Sequence, residues 1–346
     1  MTDTPSAGQK SGTADEPNRT PHLRQATDVH VRPAGRSRGD RPGEAPVDPV
    51  RVGGTSGAVI WGLVRSLRPR QWLKNGVVLA GIVFARELGD TDRVARAVIA
   101  AALFCLLSGA VYLVNDVLDR EKDQHHPVKS RRPIAAGVVP PALALAAALV
   151  IAIGALASAT MLAPAFGATA LAYLILQALY VAVMKHIVIL DVLAVASGFV
   201  LRAAAGALAI DVPISPWLYV VTLLLALFLV LGKRRQELVL LTSDAANHRD
   251  VLRDYSLPFV DQLLSIVTTA LLVSYMLYTF FSENLPRSHA MMLTIPFPLY
   301  GIFRYLYLIH VRGDGGAPEE VLLRDRPLAW CCVAWVVASI AVVYLG

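Results

Sequence analysis

Long apolar runs recur along most of this chain and leave it few folds. Stretches of about twenty mostly apolar residues match an α-helix crossing the ~30 Å hydrocarbon core of a bilayer. They fall at about 94–118, 138–160, 165–184, 187–209, 216–233, 260–282, 290–310 and 327–345, with a shorter one at about 73–88. The expected fold is all-α, a polytopic membrane helical bundle of about nine transmembrane helices. Composition agrees: 55% of the 346 residues are hydrophobic and 17% charged, with a mean hydropathy of +0.53. That is too apolar for an ordinary soluble domain. Cys105, Cys331 and Cys332 lie inside apolar runs and show neither metal-ligand spacing nor a disulfide framework. They read as small buried hydrophobes.

The net charge is +6, but in a membrane protein the placement of Lys and Arg matters more than the sum. Loops after the second, fourth, sixth and eighth runs carry Arg120, Lys122, Lys129, Arg131 and Arg132; Lys185; Lys233, Arg234, Arg235, Arg249 and Arg253; and Arg312, Arg324 and Arg326. Loops after the third and fifth runs carry none, and the loop after the seventh only Arg287. Arg86, Arg93 and Arg96 go against the trend. The positive-inside rule places the N-terminus and the first of these charged loops in the cytoplasm. Residues 1–57 are rich in Pro, Gly, Ser, Thr, Asp and Arg, with few large apolar residues and no signal-peptide core. Such a segment buries too little surface to offset its ordering entropy, and is expected to be a disordered cytoplasmic tail before a transmembrane domain at 58–346.

Strong acids directly after a membrane-length apolar run need a reason. Asn115 to Asp123 reads N-D-V-L-D-R-E-K-D. Asp116, Asp119 and Asp123 are spaced i, i+3, i+7 and share one face of a helix. Asn115 stands beside that face. Crowded carboxylates repel unless a cation sits among them, and oxygen-only ligands suit Mg²⁺, which takes one or two carboxylates plus substrate phosphates. The bland alternative is a solvated helix end. Lys129, Arg131 and Arg132 follow at once, and acids beside bases at a membrane boundary suggest a magnesium–diphosphate site.

Three other stretches are polar where a membrane protein has little room for polarity. Arg65 to Asn75, R-S-L-R-P-R-Q-W-L-K-N, reads as a basic, Trp-bearing interfacial entry, or else as one that turns Lys74 and Asn75 into a site. Tyr180, Lys185 and His186 lead to Asp191, an acid inside an apolar sequence and so a functional-site hypothesis by default. Arg202 lies eleven residues on, on a similar helical face, which allows a structural Asp–Arg pair as well as a substrate role. Leu231 to Leu238, L-G-K-R-R-Q-E-L, is either a positive stop signal or a second charged motif opening on the same membrane face as the first. No Gly-rich phosphate loop, Ser-His-Asp set or nucleic-acid signature is visible.

N-D-x-x-D-x-x-x-D at Asn115–Asp123, followed about seventy residues later by a second acid-bearing motif, resembles the UbiA superfamily of intramembrane prenyltransferases over about residues 60–345. Within it, R-P-R-Q-W-L-K-N, H-P-V-K-S-R-R-P-I-A-A-G at His126–Gly137 and L-G-K-R-R-Q-E-L look like decaprenyl-phosphate phosphoribosyltransferases. The resemblance implies a multi-pass enzyme of the bacterial plasma membrane with its active site facing the cytoplasm. Its reaction would join the ribose 5-phosphate of phosphoribosyl pyrophosphate to decaprenyl or another polyprenyl phosphate, for a lipid-linked arabinose donor and the cell envelope. It implies Mg²⁺, with Mn²⁺ as an alternative, on Asn115, Asp116, Asp119 and Asp123. Phosphate contacts are expected from Lys129, Arg131, Arg132, Lys185, Lys74, Asn75, Lys233 and Arg234, with Tyr180 and Arg202 near the substrate. Asp191 stands alone where many members carry two or three aspartates. It is expected either to stabilise the cationic sugar or to bind a second metal. The bilayer is a partner, nucleic acid is not, and a homo-oligomer is left open. Two other readings stand: prenyl transfer from a prenyl diphosphate to an aromatic acceptor, and a transporter, against which the charges gather at one face and no inverted repeat is apparent.

Overall fold

A backbone in hydrocarbon must satisfy its own hydrogen bonds, which for a single apolar run means a helix. The computed structural model describes residues 56–241, 250–282, 285, 288–314, 316 and 318–345, and among these no strand occurs. The expected tail lies outside the described residues save its last two positions, as do Arg249, Glu283 and Arg287. Six α-helices make the first half: α1 Ser56–Ser66, α2 Ala80–Phe84, α3 Thr91–Leu118, α4 Arg120–Gln124, α5 Pro141–Leu162 and α6 Pro164–Ala182. Six make the second: α7 Leu190–Ala209, α8 Pro216–Leu241, α9 Leu257–Phe281, α10 Pro296–His310, α11 Pro318–Arg324 and α12 Arg326–Leu345. Among the described residues seven stretches are long and apolar enough to cross a membrane: α3, α5, α6, α7, α9, α12 and Ala290–His310, which includes α10. Helix α8, with 26 residues, is about 39 Å long at 1.5 Å per residue.

The first expected helix, 73–88, takes another form. Pro69–Leu79 is a 3-10 helix and only Ala80–Phe84 is α-helical. Arg68, with φ 53°, turns the chain into it. A 3-10 helix rises about 2.0 Å per residue against 1.5 Å for an α-helix, so these sixteen residues reach about 29 Å. Its apolar part, from Leu73 to Phe84, accounts for only about 21 Å of that, short of a hydrocarbon thickness.

Consecutive long helices pack as neighbours, α3 on α5, α5 on α6, α6 on α7, α7 on α8 and α8 on α9. Lipid tails are as apolar as leucine, so close backbone approach and van der Waals contact drive this association. Helix α7 shows it best: Ala194, Ala196, Gly198, Ala203, Ala205, Gly206, Ala207 and Ala209 are all buried. A Cβ on Gly206 would stand 1.9 Å from the Val78 carbonyl oxygen, so only glycine lets the 3-10 segment lie against α7. Phe104 of α3 fills the adjacent space, its ring 5.9 Å from that of Phe166 and 5.3 Å from that of Tyr173. Of the seven stretches, α7 and α3 are the two most buried, and they carry Asp191 and Asp116.

Prolines start α5, α6 and α10 and stand at the second position of α9, where no N–H is missed. Two of the three arginines that broke the charge trend, Arg93 and Arg96, have local partners. Arg93 Nη1 lies 2.5 Å from Glu87 Oε1. Arg96 Nη2 donates to the Leu162 carbonyl at 2.9 Å and its Nε to the Ala209 carbonyl at 2.9 Å. One guanidinium thus caps the C-terminal ends of both α5 and α7, where unpaired carbonyls and the helix dipoles favour a cation. Arg96→Met should therefore cost roughly 2 kcal/mol, read as a melting temperature several degrees lower in detergent. An unchanged melting temperature would remove the capping role.

Candidate active site

The direction of the helices brings the charged motifs to one end of the bundle: the end of α3, the start of α7, the end of α8 and the start of α9. At the end of α3 the helix breaks at Asp119, with φ −91° and ψ 5°, before α4 resumes. The 5→1 hydrogen bonds run through the break, from Asp119 N to Asn115 O at 2.9 Å and from Asp123 N to Asp119 O at 2.8 Å. Asp116 and Asp123 therefore stay on one side, both buried at 2% and 3% exposure. Asp119 and Asn115 are half-buried.

Two such carboxylates repel unless a cation joins them. Arg132 Nη1 lies 3.1 Å from Asp116 Oδ1 and 2.5 Å from Asp123 Oδ2, and Arg68 Nη2 donates to the same Asp116 oxygen. Arg132 gets there because the His126–Gly137 run folds back on itself. His126 Nδ1 accepts from Val128 N and Lys129 N, Ile134 is fully buried, and Gly137, with φ 77°, lets Val138 N and Val139 N both bond to Pro133 O. Lys129 and Arg131 remain exposed on this loop. Arg68 stacks on Tyr112, 4.7 Å from its ring centre.

The second cluster centres on Asp191, in the first turn of α7 and fully buried. Its Oδ1 accepts the Tyr255 hydroxyl at 2.7 Å. Its Oδ2 lies 2.9 Å from Arg234 Nε, an ion pair whose angle falls short of a hydrogen bond. Arg234 also donates to Glu237, and Lys233 Nζ stands 3.9 Å from the other Glu237 oxygen. Arg234 is 3% exposed, whereas the Lys233 side chain is 45% exposed. Burial, and then the bond to Asp191, push the Tyr255 phenol up to about 12, so it stays a donor across the physiological range. The same hydroxyl accepts from Ile189 N at 2.8 Å. Ile189 has φ 71°, a conformation that costs a β-branched residue about 1–3 kcal/mol and that this bond helps to hold.

Arg202 does not meet Asp191. Eleven residues along α7 put them about 16 Å apart. Instead Arg202 Nε donates to Asn75 Oδ1 at 2.7 Å, Nη2 to the Tyr173 hydroxyl at 2.8 Å and Nη1 to Gly198 O at 3.0 Å. Asn75 in turn donates to Ser108 Oγ at 3.1 Å. Asn75 thus faces the helix interior, 1% exposed, while Lys74 beside it is half-buried. Tyr180 lies within electrostatic reach of Arg234, and Lys185, like it, is half-buried. Sequence reasoning missed Arg68, Tyr255 and Glu237. Arg68 sat in a motif read as membrane anchoring, and Tyr255 carried no signal because its partner is 64 residues away.

Among the described residues no three acidic, His or Cys side chains converge as a ligand set. Asp116 and Asp123 do converge, through Arg132. Two buried carboxylates meeting at one point, with oxygen donors only, fit a hard divalent cation whose remaining ligands are phosphate oxygens and water. The Asp191 site does not fit one in the same way, since the guanidinium against it is itself buried, 4% exposed against 29% for Arg132 and 23% for Arg68, and has less room to give way.

The UbiA prenyltransferase family matches residues 76–317. The decaprenyl-phosphate phosphoribosyltransferase of Mycolicibacterium smegmatis is 35% identical over 301 residues, 83% of this chain and 94% of that one. The enzyme of the same description from Mycobacterium tuberculosis is 36% identical over 292 residues, 83% of this chain and 96% of that one. That from Corynebacterium glutamicum is 35% identical over 291 residues, 82% of this chain and 87% of that one. Among solved structures, a UbiA homolog from Archaeoglobus fulgidus bound to GPP and Mg²⁺ aligns with a TM-score of 0.64 at 17% identity, over 82% of this chain and 99% of that one. The same homolog bound to DMAPP and Mg²⁺ gives 0.63 at 17% identity, over 82% of this chain and 100% of that one. These two establish the fold.

Arg132→Met leaves the two facing carboxylates one cation short and should destabilise the full chain by roughly 1–3 kcal/mol. Adding Asp123→Asn removes one of the facing charges and should recover part of that loss in a thermal melt. Strictly additive losses would show that the bridge does not exist.

Proposed function

The chain belongs to the UbiA prenyltransferase family, and on that basis we propose that it transfers the 5-phosphoribosyl group of phosphoribosyl pyrophosphate to decaprenyl or another polyprenyl phosphate, releasing pyrophosphate. The observation that carries the reading is the gathering of two buried carboxylates and several accessible cations at one end of the bundle. A prenyl diphosphate brings one diphosphate and an apolar tail. The phosphoribosyl donor adds a 5-phosphate across the ribose, and the acceptor adds a third anionic group. Arg68, Lys74, Lys129, Arg131, Arg132, Lys185 and Lys233 supply charge for all three.

Asp116 and Asp123, with Asn115 and Asp119 beside them, are the residues that would hold Mg²⁺ or Mn²⁺. When bound, such a cation neutralises charge growing on the leaving pyrophosphate. Arg132 stands against both carboxylates and Arg68 against Asp116, and their planar guanidinium groups suit bidentate contact with diphosphate oxygens. Lys233, accessible where Arg234 is buried, suits the 5-phosphate as a point charge. The acceptor's phosphate oxygen attacks the anomeric carbon from the face opposite the pyrophosphate, and the C–O bond to pyrophosphate breaks. That oxygen is already an anion, so no strong base is assigned. The polyprenyl tail lies along the lipid-facing helices. The tail at 1–57 takes no part, and the body from residue 58 carries the reaction in the plasma membrane with its charged end in the cytoplasm.

The purified full chain, given phosphoribosyl pyrophosphate, polyprenyl phosphate and Mg²⁺, should release pyrophosphate and form a ribosylated lipid detectable by mass spectrometry. Asp116→Asn should lower turnover by about a hundredfold or more at unchanged expression. Prenyl transfer to an aromatic acid instead would keep the family and overturn the proposed donor. For orientation, a cysteine at Ser130 should resist an impermeant reagent applied to intact cells, while one at Ser288 should label. The reverse pattern would turn the site away from a cytosolic donor.

A further inference from the structure

The acid at the start of α7 is sealed among protein groups that are themselves largely buried. Asp191 Oδ1 accepts the Tyr255 hydroxyl at 2.7 Å, Oδ2 lies in ion-pair range of Arg234 Nε at 2.9 Å without a hydrogen bond, and the residue has no exposed surface. Mg²⁺ binds few carboxylates and keeps waters or phosphate oxygens around it, which a carboxylate sealed together with its guanidinium does not admit: Arg234 is 4% exposed, whereas Arg132 and Arg68 at the first site are 29% and 23% exposed and open to solvent and phosphate. The ion chain then continues outward. Arg234 donates to one Glu237 oxygen, and Lys233 Nζ stands 3.9 Å from the other. At its inner end the Tyr255 hydroxyl ties the segment before α9 to Ile189, just ahead of α7. Three elements are thereby locked together, and the outermost member is an accessible ammonium.

We propose that Asp191 is a positioning residue and not a cation ligand: with Tyr255, Arg234 and Glu237 it forms a brace that fixes Lys233 where the donor's 5-phosphate binds. Resting as it does on the transferase reading above, this assigns one metal-binding locus to the protein, at Asp116 and Asp123, and makes the second motif a phosphate-recognition device. Tyr255 and Glu237 become specificity-determining through Lys233.

The test compares wild type, Asp191→Asn and Tyr255→Phe in the full chain. Mn²⁺ binding in the presence of inorganic pyrophosphate, followed by electron paramagnetic resonance, should keep its stoichiometry and affinity in both variants. The KM for phosphoribosyl pyrophosphate should rise about tenfold in Asp191→Asn and about threefold in Tyr255→Phe, with the Mg²⁺ concentration for half-activation unchanged. Loss of a Mn²⁺ equivalent, or an about tenfold higher Mg²⁺ requirement, would make Asp191 a metal ligand and overturn the proposal. A lower melting temperature with donor KM unchanged would overturn it too, leaving only a structural role. Tyr255→Phe removes a single hydroxyl and decides the matter if Asp191→Asn does not fold. Should the wild type be inert toward the phosphoribosyl donor, the transferase reading falls, while the Mn²⁺ arm still decides whether Asp191 binds metal.

Discussion

A charge held out of water at the edge of a bilayer persists only beside its counter-charge, and that requirement organises this molecule. Asp116 and Asp123 are tied by Arg132, Asp191 by Arg234. Each pair joins segments that the chain alone would leave apart: a loop to the end of α3, and α8 to the start of α7. Removing one partner of such a pair leaves an uncompensated buried charge, far costlier than never having built the pair. The pairs therefore fix the geometry of one end of the bundle more firmly than apolar packing alone does, and they are where phosphate-bearing substrates would be received.

The apolar body serves that end by bringing backbones close. The run of Ala and Gly along α7 lets the 3-10 segment lie on it, with Val78 against Gly206. Arg202 then reaches across to Asn75 and Tyr173. Among the described residues this interior cation pairs with no carboxylate. It is met by an amide oxygen, a hydroxyl, a backbone carbonyl and two aromatic faces. Such neutral acceptors suit a helix interior, where a second charge would need its own desolvation.

Much of this was legible in the sequence, and the limits follow from distance along the chain. The apolar runs announced the helices because length and hydropathy are local properties. The i, i+3, i+7 spacing announced the acid cluster because a helix keeps its own periodicity, and Asp116 and Asp123 do stay together despite the break at Asp119. What spacing could not reveal was which cation answers which acid. Arg202 seemed a partner for Asp191 on face alone, but the rise along the helix forbids it, and the partner came from α8. Arg68 and Tyr255 were invisible for the same reason: their contacts span 48 and 64 residues. The first apolar run misled because hydropathy does not distinguish an α-helix from a 3-10 segment, and here the 3-10 segment begins at Pro69, before the run itself. Arg96 looked like an exception to the charge rule until its two helix ends were in view.

The neighbours of Arg202 have a bearing on how the protein is made. An arginine near the middle of a spanning helix costs about 2.5–3.5 kcal/mol on entering the bilayer. Asn75, Tyr173 and Gly198 all precede Arg202 in the chain, so its acceptors have left the ribosome before it does. The partners of Asp191, Arg234 and Tyr255, come afterwards. Biogenesis of α7 is thus asymmetric: its deep charge can be sheltered as the helix inserts, while the acid at its mouth waits for α8 and the segment beyond it to be synthesised.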